Sequence, residues 1–356
     1  MISNLSLEEK IGQMFMFGIN KNNTDGIIKL IKENKIGGVI LYKKNYTSYE
    51  EMLDLIKKLR EANRQNKIPL LIAIDEEGGR VNRMPPEFKN LKSIYRFSEL
   101  KDINIIKEYA DIISTILSQS GINMNFAPVL DIYNNSNSNV LKGRCFSSDV
   151  NIVSTYGVEY INKMKDNNVV AVSKHFPGHG STKKDTHIIL PYIKNYKEIE
   201  EKHIKPFEVA IKNGCDAIMV GHIIIKKLTK SLPASLSKKF IKEYLREKNN
   251  YEGIVITDDI RMKSVDIIYK LISLKKAFSS ESDIILFKYK DGDEKVIAKV
   301  VKMVKENKIE EEKINKSVMR ILKIKEKYNI TDNIDILGCN IEEINDRIEK
   351  LNSKLD

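Results

Sequence analysis

Short apolar runs recur along the chain, separated by segments whose apolar residues repeat at helical spacing. The runs fall in the later part of 11–18 and at 36–42, 69–75, 124–131, 169–173, 215–222, 253–259 and 283–287. They are continuous rather than alternating, the pattern of strands buried on both faces of a parallel sheet. The intervening segments at 25–33, 49–66, 105–120, 153–167, 199–213 and 237–248, and the Lys/Glu-rich stretch 293–328, read as helices. Ser6 with Glu9 three residues on makes a capping box, so a short helix opens the chain. About eight strands alternating with helices predict the α/β class and a single-domain (β/α)8 barrel of the TIM type. A doubly wound open sheet is the alternative, but its glycine-rich first turn is absent. The barrel is assigned to residues 1–330. Residues 331–356 form a C-terminal helical tail whose Ile341, Ile344, Ile348, Leu351 and Leu355 make a stripe suited to docking on the barrel.

Several apolar runs end on a polar residue: Asp75, Asp131, Lys174 with His175, His222 and Asp258. In a parallel barrel all strand ends of that sense open on one face, where active sites are built. The stretch Lys-His-Phe-Pro-Gly-His-Gly-Ser-Thr-Lys-Lys-Asp-Thr-His at 174–187 holds three of the five histidines in the chain. Pro177, Gly178 and Gly180 disfavour a regular element there, so Lys174, His175, His179, Asp185 and His187 are expected on an irregular loop rather than in the core. His175, His179, Asp185 and His187 also have spacings that can supply zinc ligands, although such a site normally draws further ligands from other strands.

The residues Lys174 to Gly180 followed by Asp185-Thr186-His187 resemble the signature of the family 3 glycoside hydrolases that remove β-linked N-acetylglucosamine, the cell-wall-recycling β-N-acetylhexosaminidases. The resemblance extends to about Tyr328 and includes 206–211, 233–237 and 320–327. It implies that Asp258, the first acid of Thr257-Asp258-Asp259, is the nucleophile of a retaining exo-glycosidase; the lesser role of capping the following helix is assigned to Asp259 or Thr257. A retaining enzyme needs a carboxylate about 5 Å from an acid/base group, to attack the anomeric carbon and form a glycosyl-enzyme. The resemblance gives the acid/base role to His187, with Asp185 holding its tautomer as an aspartate does in hydrolase triads. The stretch Asp75-Glu76-Glu77-Gly78-Gly79-Arg80-Val81-Asn82-Arg83 looks like the family's sugar-binding stretch, with Asp75 and Arg83 reaching the terminal sugar and Gly78-Gly79 letting backbone approach it. Arg144, in a Gly-Arg-Ser-Phe-like stretch where Cys145 replaces serine, and Lys174 and His175 carry over as substrate binders. The family uses no metal, so neither metal nor cofactor is expected.

The expected partner is a small carbohydrate, either an N-acetylglucosamine-containing muropeptide or a chitooligosaccharide. Two other readings stay open: a family 3 β-glucosidase-like enzyme of different sugar specificity, and a non-catalytic glycan-binding barrel. Within the first substrate class, Asp258-Asp259 could instead support catalysis by the substrate's own acetamido group.

Composition changes little in this picture. The 356 residues carry a formal charge of +11, which raises nucleic acid or an anionic polymer as partner. The lysines alternate with glutamates on helix-like segments, so a solvated face is expected and no nucleic-acid role. Cys145, Cys215 and Cys339 are widely spaced, which speaks against a disulfide framework. The N-terminus lacks a basic region followed by an apolar one, and no run approaches a membrane span. A cytoplasmic monomer is the resulting expectation.

Overall fold

The computed structural model describes residues 2–19, 23–133, 140–179, 192–193, 195–262 and 272–356. The apolar runs become strands β1 (Phe15–Gly18), β2 (Gly38–Leu41), β3 (Leu71–Ile74), β4 (Met124–Asn125), β5 (Val170–Phe176), β6 (Ala217–Val220), β7 (Ile254–Thr257) and β8 (Ile285–Lys288). All pair in parallel, in the order β8-β1-β2-β3-β4-β5-β6-β7. A parallel bridge between Ile256 and Ile284 joins the two ends of that order, so the sheet closes into a (β/α)8 barrel. Except for Lys288, strand residues are buried, because the inner face fills the barrel and the outer face meets helices.

The helices are α1 (Leu7–Gln13), α2 (Thr24–Asn34), α3 (Tyr49–Asn63), α4 (Ile94–Glu99), α5 (Ile103–Gln119), α6 (Val150–Asp166), α7 (Lys205–Lys212), α8 (Lys238–Ile241, continued by a π-helical stretch, Lys242–Glu247), α9 (Ile272–Phe278), α10 (Glu294–Lys305), α11 (Glu311–Lys327) and α12 (Ile341–Asn352). The capping box on α1 forms: Glu9 N–H donates to the Ser6 hydroxyl at 3.1 Å, and Ser6 N–H to the Glu9 carboxylate at 2.8 Å. Two helix starts differ from the periodicity because caps set them. Asp102 accepts from Asn104 N–H and starts α5 at Ile103; Asp149 accepts from Asn151 and Ile152 N–H and starts α6 at Val150. No helix among the described residues is long and apolar enough to cross a membrane.

Two departures matter for the site. β4 is only two residues long because Pro128 has no N–H to give a ladder. Pairing resumes beyond it, Lys174 N–H donating to Pro128 O at 3.1 Å and Leu130 N–H to Lys174 O at 2.7 Å. β5, in turn, runs on through Lys174 and His175 to Phe176. The expectation that Lys174, His175 and His179 are displayed on a loop is therefore corrected: all three are buried. Partners distant in sequence meet their polar groups, as shown below.

The opposite, N-terminal end of the barrel is also charged. Asp283, ahead of β8, accepts from Arg246 at 2.6 Å, Arg320 at 3.2 Å and Val255 N–H at 2.8 Å. Lys325 of α11 donates to Gln13 Oε1 at 2.7 Å and Gly37 O at 3.1 Å. Arg60 of α3 lies 3.5 Å from Asp332 and donates to Gly121 O at 2.5 Å. Beyond Asp332 the chain returns to the barrel flank, where α12 buries Ile344, Ile348 and Leu351, and Arg347 donates to Glu108 and Asp111 on α5.

Candidate active site

The C-terminal ends of β3 and β5 build the first part of the site. Asp75 directly follows β3, and its carboxylate accepts from Lys174 Nζ at 2.7 Å. Glu77 accepts from the same ammonium at 2.6 Å and from both Nε and Nη2 of Arg144 at 2.7 Å. One buried carboxylate thus ties together two of the expected sugar binders, Lys174 and Arg144, in the planar fork that suits a guanidinium. Burial works to raise the Glu77 pKa, but the charges of Lys174 and Arg144 outweigh it and hold the acid ionised, well below the usual range. Burial likewise opposes the charge on Arg144, yet Glu77 stabilises it.

Glu76 shapes the next turn. Its carboxylate accepts from Gly78 N–H at 2.9 Å and Arg83 N–H at 2.6 Å, and burial pushes its pKa up to about 7 against those two N–H groups. Gly78 has φ +71°, and a Cβ there would lie 1.9 Å from the Tyr109 hydroxyl; at Gly79 it would meet Ser93. The glycine pair therefore makes room for Tyr109 and Ser93. The Arg83 carbonyl accepts from Tyr46 at 2.9 Å. Its guanidinium makes no hydrogen bond or ion pair among the described residues, and Nε is buried without a partner.

Asp131 organises the β4 and β5 ends. It is fully buried, accepting from the His175 ring Nδ1 at 2.7 Å, His175 N–H at 3.2 Å and His179 N–H at 2.7 Å. Burial would lift its pKa, but the two histidines hold it far below the usual carboxylate range. The Nδ1–H fixed on Asp131 leaves His175 Nε2 as the ring's remaining polar atom. Burial pushes His179 down to about 4, so its ring is neutral at pH 7 and it orders the turn. The ligand atoms of Asp131, His175 and His179 lie within 4.8 Å of one another, making these the described residues able to hold a cation.

Across the mouth, Asp258 follows β7 directly. Its Oδ1 accepts Asp259 N–H at 2.8 Å, and no hydrogen bond holds Oδ2 among the described residues. Burial acts to raise its pKa, but His222, His175, the Asp259 N–H and His179 bring it below the ordinary value. Asp259 moves the opposite way: burial, with the Asp258 charge adding, raises it despite N–H bonds from Arg261 at 2.9 Å and Lys288 at 3.1 Å. Two adjacent acids are thereby shifted in opposite directions. Thr257 Oγ1 instead accepts Leu286 N–H at 3.1 Å and helps close the barrel. His222 is anchored by Ser235 at 2.6 Å and the Asp259 carbonyl at 3.0 Å. Tyr42, just past β2, joins the two halves: burial first, then the charges of Asp259, Asp75 and Asp258, drive its phenol far above its usual pKa.

Of the residues singled out from sequence, Asp75, Lys174 and Arg144 meet in one network, His175 sits beside it, and Asp258 and Arg83 share the same mouth. His187 and Asp185 lie outside the described residues. Local patterning missed Glu76 and Glu77, which look like turn charges, and gave Asp131 no role. The available signal was two further acids immediately after a strand-end aspartate.

Residues 6–324 match the glycosyl hydrolase family 3 N-terminal domain. A β-hexosaminidase of Psychromonas ingrahamii is 36% identical over 258 residues, 70% of this chain and 75% of that protein. One from Haemophilus influenzae is 34% identical over 266 residues, 73% of this chain and 74% of that protein. A solved glycoside hydrolase family 3 β-N-acetylglucosaminidase from Paenibacillus sp. str. FPU-7 superposes with a TM-score of 0.90 at 31% identity, covering 98% of this chain and 68% of that one.

Proposed function

Since the chain belongs to glycosyl hydrolase family 3 and is a glycoside hydrolase with β-hexosaminidase function, we propose that it is a retaining exo-β-N-acetylglucosaminidase. Asp258 is the nucleophile, and His187 with Asp185 is the acid/base dyad. The observation that carries this reading is the placement of Asp258 directly after β7 at the barrel mouth, with Oδ1 held by the Asp259 N–H and Oδ2 without a hydrogen bond among the described residues, beside histidines that lower its pKa.

In the first step an Asp258 oxygen attacks the anomeric carbon as the glycosidic C–O bond breaks, and His187 gives its proton to the departing oxygen. In the second, water attacks the same carbon, loses its proton to His187 and frees Asp258. Asp75, Arg83, Arg144, Lys174 and His175 bind the sugar hydroxyls. Glu77 and Asp131 position those donors, which concentrates oriented charge where the oxocarbenium-like transition state forms. The substrate class is terminal β-linked N-acetylglucosamine, on peptidoglycan-derived muropeptides or on chitooligosaccharides. The relatives' names, and the β-N-acetylglucosaminidase named for the Paenibacillus structure, support that sugar.

The test is mass spectrometry after incubation with a slow fluorinated N-acetylglucosaminide. An adduct on Asp258 is expected. An adduct on another residue sinks the assignment, and steady turnover with no adduct points to catalysis by the substrate's acetamido group. Chromogenic N-acetylglucosaminide should be cleaved well ahead of the glucoside; the reverse order would move the enzyme to the β-glucosidase-like class.

A further inference from the structure

We infer that the barrel mouth carries an anion-binding recess fitted to a phosphate ester on the terminal sugar, an inference that rests on the glycosidase reading above. A recess of about 380 Å³ lies on the rim between the ends of β2 and β8, lined by Tyr42, Lys43, Lys44, Arg83 and Lys288. Four of these five side chains are cationic and none is acidic. Here like charges converge: burial first, then the neighbouring charge of Lys288, lowers the pKa of Lys44.

Arg83 adds an independent sign. A buried Nε without an acceptor also occurs in Arg60, Arg246 and Arg320, but those are bonded through their other nitrogens, whereas no nitrogen of the Arg83 guanidinium has a hydrogen bond or ion pair among the described residues. A buried donor left in that state is costly unless something completes it. Arg83 is also shared with the sugar pocket, where its backbone is held beside Asp75 by Glu76. The recess therefore begins where the sugar ends, and Tyr42 forms its wall towards Asp258 and Asp259.

The chemistry selects the ligand. Several converging cations, one of them a guanidinium, match a group with nearly two negative charges and three acceptor oxygens, which a phosphate monoester supplies. A neutral hydroxyl would leave the lysines repelling one another. With the anomeric carbon committed to Asp258, the 6-hydroxyl is the sugar oxygen on an exocyclic carbon and extends furthest from the ring. The structure thus assigns the recess to a 6-phosphorylated terminal N-acetylglucosamine.

Calorimetry with N-acetylglucosamine 6-phosphate, N-acetylglucosamine and inorganic phosphate tests the recess, on the full chain and on a double variant carrying Lys43→Ala and Lys288→Ala. The phosphorylated sugar should bind about tenfold or more tighter than the neutral one at low salt, and the double variant should lose most of that preference. Equal affinity for the two sugars in the unaltered protein overturns the proposal. So does inorganic phosphate binding as tightly as the ester, which would make the recess a site for free phosphate. Cleavage of a neutral chromogenic N-acetylglucosaminide is followed in parallel. If it is cleaved while the phosphate preference is missing, only the recess falls. If neither it nor its 6-phosphorylated counterpart is cleaved while the preference is present, the glycosidase reading fails and the recess stands.

Discussion

The two ends of the barrel both bury charge, but they complete it differently. At the N-terminal end, Asp283 receives two arginines and a backbone N–H, and Lys325 is met by Gln13 and the Gly37 carbonyl. These groups lock strand starts to outer helices. At the C-terminal end, Glu77 and Asp131 are equally enclosed, yet the groups they hold in place stand beside others that are left incomplete: Asp258 Oδ2 and the Arg83 guanidinium have no partner among the described residues. At the N-terminal end the Nε of Arg60, Arg246 and Arg320 is also buried without a hydrogen bond, but each of those guanidiniums is held through its other nitrogens, and that is architecture. A charge held in place with an open valence is a site.

Substitutions at the two ends should therefore separate activity from stability. The largest effect is expected for Asp258→Ala, which should lower kcat by about ten-thousandfold while the unfolding midpoint in urea stays nearly fixed; a large shift of the midpoint would place Asp258 with the architectural acids. Next, Asp283→Ala leaves two arginines without their shared acid and should cost about 3–5 kcal/mol in denaturant unfolding, with kcat per folded molecule within about twofold. Loss of kcat without loss of stability there would break the contrast. Glu77→Gln should act on both sides, lowering kcat/KM about a hundredfold and destabilising by about 2 kcal/mol. If only stability moves, Glu77 belongs with the N-terminal end in kind.

The last effect is read as a slope with pH and concerns Lys325, whose pKa burial lowers to about 7, against the opposing charge of Asp332. An unfolded lysine titrates near 10.4, so between these values the unfolded chain binds more protons and stability rises with pH, by at most about 1.4 kcal/mol per pH unit. Lys325→Met should flatten the profile of unfolding free energy between pH 7 and pH 10. A slope unchanged in the variant would mean that another group carries it.

Much of the barrel was legible because strands buried on both faces leave unbroken apolar runs, as at Leu71–Ile74 and Ile254–Thr257. Caps were legible where the residue pair is local, as for Ser6 and Glu9. The site was legible only in part. Lys174 and His175 look like loop residues because the groups that satisfy them, Glu77 and Asp131, lie far away in sequence, where a local pattern has no reach. Glu76 and Glu77 look exposed for the same reason. The shortness of β4 follows from Pro128, yet the resumption of pairing around Lys174 depends on the neighbouring strand and cannot be read from either segment alone.

The seam between β7 and β8 has one ladder bridge, Ile256–Ile284, backed by Leu286 N–H on Thr257 Oγ1, Ile260 N–H on the Leu286 carbonyl and Lys288 N–H on Asp259, and the proposed nucleophile follows Thr257 directly. The shortest ladder in the ring and its reactive tip thus adjoin each other. On gentle heating that joint would part first, swinging the tip out of alignment while the remaining staves stayed bound. Catalysis would then fade at a lower temperature than far-ultraviolet ellipticity.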